Sequence, residues 1–329
     1  MIKRGLLSLF SGFFAKKKFY GNCYSALSSI KVRDIMIKDV LTIRRDEKLL
    51  EAAHTMIGAH ASCLVVVERE KPIGIITERD FVKKLGMAKD HHEEMIVNDI
   101  MTKQLFTVSP HANLFGAQQM MMEHKFRKLV IVENNILKGI ITQTDLCRAV
   151  AELGASYHDP PLVKDAMSKK VLVIREDDNF LKVKRLMTAR DIGSVLVVEK
   201  ETIKGMFTEF DLVSEFFMNP NRLRNSYMKD LMTSPVMCIN PTFDLFQVNK
   251  LMLEHNFRRL PVVANHKIVG IITQTDVARG LYQFVEEHKD AVCEPVKKEK
   301  DPIYCMKKGN NLIVCERSVP KSTENSEKK

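Results

Sequence analysis

The alternation of apolar and polar positions follows one short score, best seen between residues 105 and 152. LFTV (105–108) predicts a brief strand, and Leu114, Ala117 and Met121 then recur at helical spacing through ANLFGAQQMMMEH. KLVIVE (128–133) is the continuous apolar run of a buried strand, Asn134 and Asn135 supply a turn, and ILKGIIT (136–142) is a second strand. DLCRAVAEL closes the stretch as a helix, so the predicted order is strand, helix, strand, strand, helix.

The same score is played four times. GIITERD, GIITQTD, GMFTEFD and GIITQTD place Gly74, Gly139, Gly205 and Gly270 at intervals of 65, 66 and 65 residues. RDIM, NDIM, KDAM and KDLM set Asp34, Asp99, Asp165 and Asp230 at the same intervals. Two markers in register establish an internal repeat. Units of this size expose an apolar sheet face and a helix stripe that each can hardly cover alone, which predicts pairing. The second and fourth units agree at 15 of 25 positions over 121–145 and 252–276, whereas the first and second agree at 10 over the equivalent stretch. That pattern predicts duplication of an already paired unit. We expect module 1 at 31–155 (units 31–90 and 95–155) and module 2 at 160–285 (units 160–220 and 226–285), divided by the prolines of SYHDPP. Each module is expected to close its own hydrophobic face.

Charge changes the picture only at one end. Of the formal net charge of +10, residues 1–31 carry +6 with no acid and residues 286–329 carry +1. Residues 1–30 therefore read as a basic N-terminal arm, with Ile2, Leu6, Leu9, Phe10 and Phe13 at helical spacing. Such a segment suits a membrane surface or an organellar presequence. No apolar run reaches the length of a membrane-spanning helix. Residues 286–329 read as a charged, largely solvated tail in which IYCM and LIVC could form a weak hairpin. The seven scattered cysteines include no CxxC pair and read as reduced thiols; Cys293, Cys305 and Cys315 match no zinc spacing. Together these features suggest a cytoplasmic protein, with import or peripheral membrane association as the alternatives.

The chemistry of the repeat lies in T-x-x-D, where a strand ends and a helix begins. A capping box explains it structurally. A functional reading is also open, because a helix N-terminus favours phosphate and a carboxylate there can accept ribose hydroxyls. The pairs before each second strand differ between units: Ser62 and Cys63, Arg127 and Lys128, Gly193 and Ser194, Arg258 and Arg259. Bases occur only in the second member of each module, a pattern suited to polyphosphate.

The D-h-M opening, the LPVV strand at 260–263 and G-h-h-T-x-x-D resemble CBS domains, across about 255 of 329 residues. The resemblance implies an α+β fold of four tandem β-α-β-β-α repeats paired into two Bateman modules. It also implies clefts for AMP, ADP, ATP or S-adenosylmethionine. By position, Asp80, Asp145, Asp211 and Asp276 would hold ribose hydroxyls, and Thr77, Thr142, Thr208 and Thr273 would sit near ribose or phosphate. Val40, Leu105, Val171 and Val236 would line the adenine slots. Asp80 would share a cleft with Arg127 and Lys128, and Asp211 with Arg258 and Arg259. The clefts of Asp145 and Asp276 would face Ser62 and Ser194 without an equivalent base.

No repeat carries a Ser/His/Asp set, a metal cluster or a P-loop. The expected function is accordingly a non-enzymatic sensor, with no required cofactor, that passes its ligand state to a separate effector protein. Homodimerisation into a disc is expected from the resemblance. The competing class is a membrane-surface or nucleic-acid scaffold working through the basic arm, with nucleic acid the weaker option.

Overall fold

The computed structural model describes residues 21–84, 94–152, 155–156, 159–219, 223, 225–290, 292–295, 303–308 and 312–317. An N-terminal strand β1 (Gly21–Asn22) leads into helix α1 (Cys23–Ser29), which the Asn22 side chain caps by accepting from the Ser25 N–H at 3.1 Å.

Four copies of one plan follow. Unit 1 comprises α2 (Val32–Ile35), β2 (Thr42–Ile43), α3 (Leu49–Gly58), β3 (Cys63–Glu68), β4 (Lys71–Thr77) and α4 (Glu78–Lys84). Unit 2 comprises α5 (Val97–Ile100), β5 (Thr107–Val108), α6 (Leu114–Glu123), β6 (Lys128–Glu133), β7 (Ile136–Thr142) and α7 (Gln143–Glu152). After β8 (Ala155–Ser156), unit 3 has α8 (Val163–Ala166), β9 (Val173–Arg175), α9 (Phe180–Arg190), β10 (Ser194–Glu199), β11 (Thr202–Thr208) and α10 (Glu209–Met218). Unit 4 has α11 (Met228–Leu231), β12 (Val236–Ile239), α12 (Leu245–His255), β13 (Arg259–Ala264), β14 (Lys267–Thr273) and α13 (Gln274–Glu287). Strands β15 (Val292–Pro295), β16 (Ile303–Lys308) and β17 (Leu312–Arg317) follow.

In each unit the first strand runs parallel to the second, and the second pairs antiparallel with the third across a two-residue turn. In unit 2 that turn is Asn134 and Asn135, at φ 52° and 62°, a left-handed pair that Asn tolerates well. The D-h-M motif forms the four-residue helix that the score did not show. Its Asp is a capping residue: Asp34 and Asp99 accept from the backbone of Lys31 and Ile96 at 2.9 Å.

Two kinds of face are buried, and they are buried against different partners. Sheet faces meet inside a module: Val65 packs with Val130 and Ile140, and Leu196 with Val236 and Cys238. Helix faces meet between modules, α4 against α10 and α7 against α13. Val213 and Phe217 of unit 3 join the core of unit 1, and Leu146 and Val150 of unit 2 share a core with Leu281 and Val285 of unit 4. The helix faces are thus covered by the two halves of one chain, and each module closes only its sheet faces alone.

Within a module the units exchange their openings. Ile37, just after the first D-h-M, pairs through both backbone groups with Ile140 of unit 2, and Thr102 pairs in the same way with Ile75 of unit 1. The exchange puts Met36 on Gly139, where a Cβ would stand 2.7 Å from its sulfur. The two sequence markers keep one rhythm because the methionine of one unit occupies the space left by the glycine of its partner.

Both termini depart from expectation. The arm ends well before residue 30, because Leu27 is fully buried in the largest core and the Tyr24 ring packs tilted against Phe115, centroids 4.7 Å apart, which in turn meets Tyr282. Residues 1–20, including the predicted amphipathic stretch, lie outside the described residues. The tail is not simply solvated: β16 and β17 form the hairpin over IYCM and LIVC, and β17 adds in parallel to β12, making a five-stranded sheet in unit 4. Strand β15 joins β1 and β8 in a small sheet that gathers the N-terminal segment, the inter-module link and the tail. The expectation of reduced thiols is corrected for Cys23 and Cys315, which are disulfide-bonded, while Cys63, Cys147 and Cys238 are free. The chain reversal at the tail, which sets Cys315 opposite Cys305 in the hairpin register, could not be seen in cysteine spacing.

Leu27→Ala should destabilise the protein by about 2–5 kcal/mol, as for any buried leucine truncation. Urea unfolding measures it, and a change within experimental error would place α1 outside the cooperative core.

Candidate functional site

All four T-x-x-D motifs form the cap at the start of the closing helix. The Thr backbone N–H and hydroxyl both donate to one carboxylate oxygen, at 2.8 and 2.7 Å for Thr142 and Asp145 and at 3.0 and 2.7 Å for Thr273 and Asp276. Thr77 with Asp80 and Thr208 with Asp211 repeat the geometry. The structural reading is therefore realised in every copy, and it uses one oxygen, Oδ2. The question of a ligand rests on Oδ1.

Here the copies divide into two classes. In units 1 and 3, Oδ1 accepts from the threonine that follows D-h-M in the partner unit: Thr102 to Asp80 at 2.9 Å and Thr233 to Asp211 at 3.4 Å. Lys84 also reaches into the Asp80 cleft, donating to the Ile100 carbonyl at 2.7 Å. In units 2 and 4, Oδ1 faces an arginine one helical turn on: Arg148 to Asp145 at 3.2 Å and Arg279 to Asp276 at 2.8 Å. Burial raises the Asp145 carboxyl above its ordinary pKa, opposed by the bonds from Thr142 and the charge of Arg148. Burial likewise raises Asp211, where the bonds from Thr208 oppose it.

A cavity of about 2740 Å³ opens between the four units. Its walls include Asp145 with Thr142, Arg148 and Val40, and Asp276 with Thr273, Arg279 and Val171. Because the units exchange their openings, Val40 of unit 1 belongs with Asp145 of unit 2, and Val171 with Asp276. Thr77 also lines the cavity, whereas Asp80, Asp211, Thr208, Leu105 and Val236 are not among its lining residues. Leu105 lies instead at the edge of the packed sheet faces of module 1, and Val236 within those of module 2.

Arg127, Lys128, Arg258 and Arg259 all line the same space. Arg258 and Arg127 find their charge partners in the opposite module. Arg258 meets Glu78 at 3.3 Å, and Arg127 meets Glu209 at 3.7 Å, with Arg79 donating to Glu209 at 2.8 Å. Lys128 donates to the Ser62 carbonyl at 3.1 Å. Burial lowers the Lys128 ammonium below its usual pKa and brings Arg259 down to about 10, partly restored by Glu209. The bases thus line the cavity as a net positive group, with Lys128 and Arg259 buried and Arg127 and Arg258 partly exposed to it. Burial strengthens any charge interaction made there.

Sequence reasoning missed two features. One is the base in the Asp145 and Asp276 clefts; Arg148 and Arg279 were legible as D-x-x-R, present in DLCR and DVAR but absent from DFVK and DLVS. The other is why GIITQTD recurs unchanged. Thr144 donates to Gln274 at 2.8 Å while Thr275 donates to Gln143 at 2.7 Å. The two copies of Q-T hold each other across the pseudo-two-fold between modules, so each constrains the other's sequence.

The family profile for the CBS domain matches residues 32–86, 97–152, 163–217 and 228–283. Protein MJ1225 of Methanocaldococcus jannaschii is 28% identical over 212 residues, covering 61% of this chain and 75% of its own. MJ1404 of the same organism is 30% identical over 266 residues, covering 75% of this chain and 61% of its own. The crystal structure of MJ1225, reported as a proposed archaeal homologue of g-AMPK, superposes with a TM-score of 0.69 at 22% identity, covering 76% of this chain and 99% of that one. A conserved uncharacterised protein from Pyrococcus horikoshii gives 0.54 at 19% identity, over 77% and 100% of the two chains.

Thr144→Val should cost about 1–3 kcal/mol by leaving the buried Gln274 carbonyl without its donor. A double-mutant cycle with Gln274→Ala, read by thermal unfolding, should show coupling. Additive effects would mean the reciprocal contact does not hold the modules together.

Proposed function

This chain belongs to the CBS-domain family, and we propose that it is a non-enzymatic regulatory protein that takes an adenosine-containing ligand into the clefts of Asp145 and Asp276. One observation carries the reading: these two acids open into a single cavity together with an apolar wall, at Val40 and Val171, and a base, at Arg148 and Arg279. An aromatic base needs the apolar wall and a ribose the carboxylate, while a phosphate needs the arginine. The Asp80 and Asp211 clefts would be the weaker sites, since neither acid lines the cavity and the Oδ1 of each accepts from a threonine of the partner unit instead of meeting an arginine.

The ligand is AMP, ADP, ATP or S-adenosylmethionine on this reading. Its effect on an effector protein would come from different affinities for two packings of the modules. Homodimerisation is not needed to complete either cleft, because each draws its residues from one chain. The scaffold reading depended on the basic arm of residues 1–30, whose bases (Lys3, Arg4, Lys16, Lys17 and Lys18) lie outside the described residues. Among the described residues, no helix is long and apolar enough to cross a membrane, and no group of three His, Cys, Asp or Glu side chains could hold a metal.

Thermal unfolding against a panel of adenosine, AMP, ADP, ATP, S-adenosylmethionine and a dinucleotide tests the function. A ligand at a hundred times its dissociation constant should add about 2.7 kcal/mol. Asp145→Asn and Asp276→Asn should each weaken the responding ligand by about 1.5–3 kcal/mol in titration calorimetry, and Asp80→Asn much less. Equal losses at all four acids would overturn the division into two classes, and no stabilisation by any panel member would overturn the function.

A further inference from the structure

The residue after each motif threonine alternates along the chain: Glu78, Gln143, Glu209, Gln274. All four occupy the first turn of a closing helix, where the modules meet. The glutamines have their own use, holding the threonines of the opposite module. The glutamates are buried carboxylates, Glu78 at 5% and Glu209 at 1% exposure, and they receive the arginines of the opposite module. Glu78 and Arg258 both line the central cavity. Glu209 Oε2 makes no hydrogen bond and lies over Gly193, 3.0 Å from where a Cβ would stand, with the Arg259 guanidinium 3.2 Å from the same point.

An arginine already facing a fixed carboxylate is not an open phosphate site. A ligand phosphate that reaches Arg127 or Arg258 must displace that carboxylate or share the guanidinium with it, and each added phosphate charge is repelled by the acid left behind. The same ion pairs bridge the modules. Displacing them removes a contact between halves that also face each other through Gln143 and Gln274.

We propose, building on the adenosine-ligand reading above, that Glu78 and Glu209 are built-in counter-ions that set how many phosphates the cavity accepts and couple phosphate entry to the module–module contact. Nucleosides and monophosphates held at Asp145 or Asp276 with Arg148 or Arg279 leave the central pairs intact. A triphosphate extending to the centre competes with the two glutamates and is selected against, in proportion to the strength of those pairs.

The test is Glu78→Gln in the full chain, a substitution this fold already carries at Gln143 and Gln274. Titration calorimetry with adenosine, AMP, ATP and inorganic pyrophosphate should show ATP and pyrophosphate binding about tenfold tighter, the equivalent of about 1.4 kcal/mol, with adenosine unchanged. Glu209→Gln should act in the same direction; if it does not fold, as circular dichroism would reveal, Glu78→Gln decides alone. Unchanged ATP and pyrophosphate affinities, or an equal change for adenosine, overturn the proposal. If pyrophosphate responds while no adenosine-containing ligand binds, the counter-ion role stands and the adenosine reading falls. A chain that binds neither adenosine nor pyrophosphate overturns both.

Discussion

A unit of about 65 residues with two apolar faces cannot stand alone, and every larger feature of this protein follows from how those faces are covered. The sheet face needs a partner that is flat, and another sheet provides it within the module. The helix stripe needs ridges and grooves, which the helices of the other module provide. Four units satisfying both demands close a ring, and a ring of convex helix starts leaves space in the middle. The central cavity is thus a consequence of packing before it is a site.

What faces that space is decided by helix polarity. The closing helices begin around the centre, so that Glu78, Gln143, Phe210 and Gln274 of their first turns line the cavity, together with the caps of units 2 and 4. Helix N-termini favour anions, and four of them pointing at one region predispose it to negative charge. This chain answers that field in two ways. Glu78 and Glu209 supply fixed negative charge in units 1 and 3, while Gln143 and Gln274 supply neutral hydrogen bonding in units 2 and 4. Arg127 and Arg258, which stand before the second strands, are held by these acids, so part of the positive charge at the centre is offset within the chain.

The division between the two classes of cleft has the same origin. Exchange of the D-h-M openings brings Thr102 and Thr233 onto Asp80 and Asp211, but Ile37 and Ser168 to the equivalent places beside units 2 and 4. A threonine satisfies the acid; Ile37, with no hydroxyl, leaves Asp145 to Arg148. The motif is the same in all four copies, and its neighbours decide whether the second carboxylate oxygen meets a threonine of the partner unit or an arginine of its own helix.

Much of this was legible in the chain itself. Strands β6 and β7 fall where KLVIVE and ILKGIIT predicted, because a buried strand must be continuously apolar and its turn must tolerate left-handed φ at Asn134 and Asn135. The repeat followed from local spacing, and the family and the α+β class from the resemblance its motifs carry. Spacing could not tell which acid of one module meets which arginine of another, since Glu78 and Arg258 stand 180 residues apart. Nor could it show that Leu27 belongs to the core, or that β17 returns to extend the sheet of unit 4. Those outcomes depend on how faces pair in space, a non-local choice in which burial of a whole surface outweighs the preference of any short segment. Local sequence determined what each unit is, and tertiary packing decided which of its groups remain free to bind.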